Sequence, residues 1–225
     1  EQSILSVVAQ KTNFEFEILI HDDASKDGTT EIIKEYQTKY PEIIKPIIQT
    51  ENQYSKGVRG MNGRFNYPRA KGKYIALCEG DDYWNDKLKL QKQVDFLEAN
   101  PDYSATSANT LYDRDGNLNH NYKESKEQWL NVKFTQELSY TQITKRQFPH
   151  TSTWLFKNFN EPFPEEILNL YIGDVPLFLI LSSKGKINFS DEIVSVYRIH
   201  DTGVTNVLKQ NSVVKTFEKY ADMLL

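Results

Sequence analysis

Lys73-Tyr-Ile-Ala-Leu-Cys-Glu-Gly-Asp-Asp-Tyr-Trp84 decides how the chain is read, because an apolar run there stops abruptly in three acids, Glu79, Asp81 and Asp82. Bounded by Gly72 and Gly80, the run predicts a buried strand of an α/β sheet, and ligands of such sheets collect at the carboxyl ends of the strands. Like charges this close repel, and each tends to take up a proton unless a cation offsets it. A hard divalent cation, Mg²⁺ or Mn²⁺, does so through oxygen ligands and commonly bridges carboxylates to substrate phosphates. A solvated acidic turn ahead of a helix, capped by Asn85 or Asp86, is the bland alternative, and this stretch alone leaves both open.

The chain has 225 residues, enough to bury a sizeable core, and is read as one domain. A net charge of −4, from 27 basic and 31 acidic residues, gives no general reason to expect nucleic acid. The single cysteine, Cys78, excludes an intrachain disulfide, and its place in the apolar run suits a reducing, cytoplasmic compartment. No apolar segment approaches the roughly 20 residues needed to span a bilayer, which leaves peripheral contact with a membrane surface open.

Outward from the acidic stretch, periodicity orders the elements. Ile4, Leu5 and Val8 open the chain in a helix with no strand before it. Phe14–Ile20 predicts a strand running into His21, Asp22 and Asp23, a second acidic strand end. Turn chemistry at Ala24–Gly28 leads to a helix over Thr29–Tyr40, stopped by Pro41, and Ile43–Ile48 predicts the next strand. Thr50–Gly63 reads as a polar loop, and Arg59, Arg64 and Arg69 make the region basic, though arginines are often plain surface charge. A helix over Lys87–Ala99 and a strand over Tyr103–Tyr112 follow, the latter ending in the hairpin turn Asp113–Asn117. Leu118–Phe148 is polar and weakly periodic, which predicts a mobile connection with one short helix. Pro149–Phe156 returns to strand character with His150 at its start. Tyr171–Leu181 predicts an apolar helix with Asp174 near its beginning, where an acid also has an ordinary role as N-cap or dipole partner. Ile193–Ile199 predicts a strand followed by His200, and the chain from Val207 onward predicts a terminal amphipathic helix.

Three segments in order, Ile18-Leu-Ile-His-Asp-Asp-Ala-Ser-Lys-Asp-Gly-Thr29, Ala70-Lys-Gly-Lys-Tyr-Ile-Ala76 and Glu79-Gly-Asp-Asp82, resemble the motifs of a family 2 glycosyltransferase. The resemblance covers most of the chain. It implies a GT-A fold, a Rossmann-like α/β architecture with a mixed, mostly parallel sheet flanked by helices. A nucleotide-sugar half would span 1–112 and an acceptor and catalytic half 113–225. Asp23, with Asp22 beside it, would receive the uracil of a UDP-sugar, Asp81 would face the ribose or sugar, and Arg64 would belong to the donor site. Asp82 matches the metal-coordinating acid of the DxD motif and His200 a histidine near the diphosphate and Mn²⁺ or Mg²⁺. His150 resembles an acceptor-side position. Glu79 stands where many members have aspartate, which puts direct ligation by it in doubt. Asp174 matches the segment that supplies the catalytic base.

One base and one metal imply a single in-line displacement from the donor to a glycan or lipid-linked acceptor hydroxyl, inverting the anomeric carbon. Two other classes stay open: a nucleotide-sugar or glycan-binding module without turnover, and a nucleotidyltransferase. A nicotinamide dehydrogenase is disfavoured, since no G-x-G-x-x-G follows a strand. Family members normally open with a strand of the type Val-Ser-Val-Ile-Ile-Pro in the middle of the sheet, and nothing here corresponds to it. Reduced stability and weak nucleotide binding are therefore expected of this stretch alone.

Overall fold

In the computed structural model residues 1–130, 135–138, 149–170 and 174–200 are described. The order is α1 (Gln2–Val8), β1 (Ile18–Asp22), α2 (Thr29–Lys39), β2 (Ile44–Ile48), β3 (Tyr74–Ala76), β4 (Tyr83–Trp84), α3 (Lys89–Ala99), β5 (Tyr103–Arg114), β6 (Asn117–Asn121), α4 (Tyr122–Leu130), β7 (Glu137–Leu138), β8 (Leu155–Lys157), α5 (Glu165–Leu168), α6 (Asp174–Lys184) and β9 (Lys186–Arg198). This is the mixed α/β arrangement expected of a GT-A fold, with helices flanking the sheet. β1 and β2 pair in parallel. A larger mixed sheet runs β3-β8-β5-β9-β4, with β6 on β5 and β7 on β9.

β5 is the spine of that sheet. Its residues Ser104 to Thr110 are all buried, on both faces, and most are small. Hydroxyls in such a strand need partners: Ser104 Oγ donates to the Leu181 carbonyl at 2.7 Å and Ser107 Oγ to that of Asn188 at 2.9 Å. One apolar cluster gathers Trp154, Phe156, Phe178, Leu181, Ile187 and Phe189, and a second gathers Trp84, Leu90, Leu97 and Leu155. Truncating a residue as enclosed as Phe178 to alanine costs about 3–5 kcal/mol. Gly185 joins α6 to β9 because a Cβ there would lie 2.8 Å from the Asp102 carbonyl oxygen. The β5–β6 hairpin turns through Asp115 and Gly116, both with positive φ.

Several sequence expectations change. Phe14 and Phe16 precede β1 rather than joining it, because both pack into the second cluster. The strand around Lys73–Asp82 is only Tyr74–Ala76, paired antiparallel to β8. Pro149–Phe156 is mostly a tight 3-10 turn over Thr151–Thr153, followed by the short β8. The connection after Leu118, expected to carry one short helix, contains α4 and, beyond that expectation, β6 and β7, because Tyr122 and Leu138 anchor it in the main cluster. The helix expected from Val207 onward lies outside the described residues.

Among the described residues β1 pairs only with β2, and β3 only with β8. Ile18, Ile20, Tyr74, Ala76 and Leu155 help line a cavity of about 840 Å³ that reaches both β1 and β3. Unpaired strand edges facing an apolar gap are a template for another strand. Extending the chain at its N-terminus with one apolar strand-forming segment is therefore expected to raise its melting temperature in circular dichroism. Equal melting temperatures would show that the gap does not take a strand.

Candidate active site

The acidic turn after β3 is folded inward. Asp82 is 1% exposed, and its Oδ1 accepts the Arg198 backbone N–H at 3.0 Å. Glu79 Oε1 accepts the Thr151 hydroxyl. The other oxygens, Glu79 Oε2 and Asp82 Oδ2, are buried and have no hydrogen-bond partner. Ligating atoms of Glu79, Asp82 and His150 all lie within 4.8 Å of one another. Burial pushes the Glu79 carboxyl up to about 7, aided by the charges of Asp81 and Asp174. Burial, with Glu79 close by, pushes Asp82 up to about 8. Two acidic oxygens left in the interior either take protons or meet a cation. The oxygen-rich donor set fits a hard divalent ion, and Glu79 and Asp82 would hold it.

A rigid frame positions these groups. His150 starts the turn that carries Thr151, and its ring stacks on Tyr197 with centroids 4.1 Å apart. Trp84 Nε1 donates to the Ser152 carbonyl at 2.8 Å, and Gln93 Nε2 to that of Thr153 at 2.8 Å. Behind them Lys89 is fully buried, with Nζ donating to Gln93 Oε1 at 2.8 Å and lying 4.2 Å from the Trp84 ring centroid. Burial pushes this lysine down to about 7. Asp174 begins α6, where Val175 N–H donates to its Oδ1 at 2.8 Å. Its charge helps to raise both the Glu79 carboxyl and the Tyr122 hydroxyl.

The remaining predicted site residues are distributed around this centre. Asp81 accepts from or pairs with His200 at 3.0 Å on the exposed rim, so His200 sits on Asp81 while His150 sits beside Asp82. Asp22 is buried, and burial raises its carboxyl, but hydrogen bonds from Ser25 and Thr30 outweigh that and hold it below the ordinary range. Both Asp23 oxygens accept backbone N–H groups, from Gln53 at 2.7 Å and Tyr54 at 2.9 Å. These two acids therefore order the loops at the end of β1. Arg64 forks onto Glu165, at 2.6 and 3.2 Å, and Asn169, at 2.9 Å. Arg69 donates to the carbonyls of Lys45 and Ile20 and so ties down β1 and β2. Thr151 and Ser152 carry no motif, and Tyr197 figures in the sequence only as the start of the segment that leads to His200. The polar run His150-Thr-Ser-Thr153, set in an apolar strand context, was the one available signal.

The chain belongs to glycosyl transferase family 2, whose family model matches residues 1–161. It is 33% identical over 201 residues to the uncharacterized protein Rv1520 of Mycobacterium tuberculosis, covering 87% of this chain and 54% of that protein. It is 27% identical over 206 residues to the Escherichia coli UDP-Glc:alpha-D-GlcNAc-diphosphoundecaprenol beta-1,3-glucosyltransferase WfaP, covering 89% of this chain and 74% of that protein. The uncharacterized glycosyltransferase alr2836 of Nostoc sp. is 35% identical over 99 residues, 43% of this chain and 28% of that protein. The chain spans about half the length of the mycobacterial relative.

The raised carboxyls set a pH dependence. Folded Glu79 and Asp82 keep protons to higher pH than the unfolded chain does, so stability falls as pH rises from the ordinary carboxylate range toward about 8. Thermal melts are expected to gain most from added Mg²⁺ or Mn²⁺ at about pH 8 and little at about pH 5. A gain independent of pH would argue against a cation on these oxygens.

Proposed function

We propose that this chain is the catalytic unit of a metal-dependent, inverting glycosyltransferase. It would move a sugar from a UDP-sugar to an acceptor hydroxyl of a cell-surface polysaccharide or lipid-linked glycan. The observation that carries this reading is the pair of buried, unpartnered oxygens, Glu79 Oε2 and Asp82 Oδ2, with the charge of Asp174 in range of Glu79. The name of the relative WfaP supports UDP as the nucleotide and a diphosphoundecaprenol-linked acceptor. No helix among the described residues is long and apolar enough to cross a membrane. A lipid-linked acceptor of this kind would be met at the membrane's cytoplasmic face. We read 1–112 as the donor half and 113–225 as the acceptor half.

A divalent cation on Asp82 and Glu79 would offset the charge that gathers on the departing diphosphate. Asp174 would accept the proton of the attacking hydroxyl as the new bond forms, and one base acting in line inverts the anomeric carbon. Asp81, paired with His200 at the rim, would meet the ribose or sugar. Asp22 and Asp23 would shape the uracil end through the loops they hold, and Arg64 would fix the neighbouring wall through Glu165.

Binding of a panel of UDP-sugars, with and without Mn²⁺, tests the donor site. Tighter, metal-dependent binding of at least one is expected, and no binding at all would overturn the reading. Asp174→Asn is expected to lower transfer by roughly 10²–10⁴-fold while leaving UDP affinity unchanged. Nucleotide binding with no transfer in the parent chain would favour a binding module instead.

A further inference from the structure

Behind His150 runs a chain of hydroxyls that the reaction scheme does not use. His150 Nδ1 lies 2.8 Å from Ser152 Oγ, Ser152 Oγ lies 3.0 Å from Ser195 Oγ, and Ser195 Oγ donates to Thr110 Oγ1 at 2.7 Å. Thr110, Ser152 and Ser195 are completely buried. The strand register builds the chain: Thr110 on β5 is the partner of Ser195 on β9, and Ser195 is in turn the partner of Trp84 on β4. Trp84 then grips the Ser152 carbonyl.

Each hydroxyl has one proton to give. The Thr110 proton goes to the Leu111 carbonyl, at 3.4 Å, and the Ser195 proton goes to Thr110. The proton between Ser152 and Ser195 must then come from Ser152. Only lone pairs remain on Ser152 Oγ toward the imidazole, so the 2.8 Å contact requires a proton on His150 Nδ1. Asp82 Oδ2 lies 3.7 Å from Nδ1, beyond hydrogen-bond distance. One contact opposes a proton on Nδ1, the Ser152 backbone N–H, which is 3.4 Å from Nδ1 and much longer than the Ser152 Oγ contact.

We propose that the Thr110–Ser195–Ser152 chain holds the proton of His150 on Nδ1, so that the imidazole donates to Ser152 Oγ and offers no Nδ1 lone pair to a cation beside Asp82. A divalent ion at Glu79 and Asp82 would then be held by carboxylate oxygen and not by Nδ1. Thr110, Ser152 and Ser195 are positioning residues. The cation clause rests on the proposed metal site, whereas the tautomer does not.

The test is the tautomer itself, read by long-range ¹H–¹⁵N correlation on ¹⁵N-histidine-labelled chain at a pH where imidazole is neutral. With four histidines in the chain, His150→Gln assigns the signals. The parent chain is expected to show Nδ1–H, and to keep it when Mg²⁺ is added. Thr110→Val removes the last hydroxyl of the chain, freeing Ser195 to donate to Ser152 and Ser152 to Nδ1, so the pattern should move to Nε2–H. Thr110→Ser should restore the parent pattern. Should Thr110→Val not fold, Ser195→Ala is expected to give the same shift, since Ser152 then has no other acceptor. An Nε2–H parent chain, loss of the Nδ1 proton on adding Mg²⁺, or an unchanged tautomer in a natively folded Thr110→Val would each overturn the proposal. No transfer assay enters, so failure of the glycosyltransferase reading would leave this result standing on its own.

Discussion

Two carboxylates forced into a low-dielectric interior govern this molecule. Removing an ionised carboxylate from water costs several kcal/mol even after relaxation, and here two are removed side by side. One oxygen of each is compensated, by the Arg198 amide and the Thr151 hydroxyl. The other two are not. The fold tolerates this because the turn after β3 is fixed from several sides at once. Trp84, Gln93 and Lys89 hold the facing turn of residues 150–153, and the Arg198 amide at the end of β9 holds Asp82. Fixing acidic groups from several sides is the kind of preorganisation that electrostatic catalysis draws on.

The sheet explains how distant parts of the chain reach that turn. β5 is narrow in its side chains and buried on both faces, so helices and apolar clusters pack against either side of it. Its parallel partner β9 returns Ser195 and Arg198 to the acidic turn, and β8 brings the His150 turn beside them. Hydroxyls substitute for hydrocarbon along this seam, and each must be satisfied, since an unpaired buried polar group costs about 1–3 kcal/mol. The consequence is a directional hydrogen-bond chain that a purely apolar strand could not provide. The gap between β1 and β3 is the opposite case, where apolar walls meet strand edges that pair with no further strand among the described residues.

Much of this was legible in the residues, but unevenly. The acid clusters at the ends of apolar runs, the helices at Thr29–Lys39 and Lys89–Ala99, and the Asp113–Asn117 turn follow from local periodicity and turn chemistry. The strand lengths did not, since β3 is cut to Tyr74–Ala76 while β9 extends back to Lys186. Strand limits depend on which neighbour supplies the ladder, and that neighbour lies far off in sequence. The segment after Leu118 looked featureless because its anchors, Tyr122 and Leu138, are isolated apolar residues in polar surroundings.

The same division runs through the site. Charge and spacing marked Asp22, Asp23, Asp81 and Asp82, because a carboxylate at the end of a buried run is costly wherever the chain goes, whereas Asp174, at a helix start, stood out only through the family resemblance. Which histidine stands by which acid was settled by tertiary packing: His150 beside Asp82, and His200 on Asp81. So were the hydrogen bond that Glu79 accepts from Thr151 and the engagement of Arg64 with Glu165. Residue type sets what a group can donate, accept or titrate. The direction it faces, and the burial that decides whether it holds a proton, come from elements packed together across more than a hundred residues.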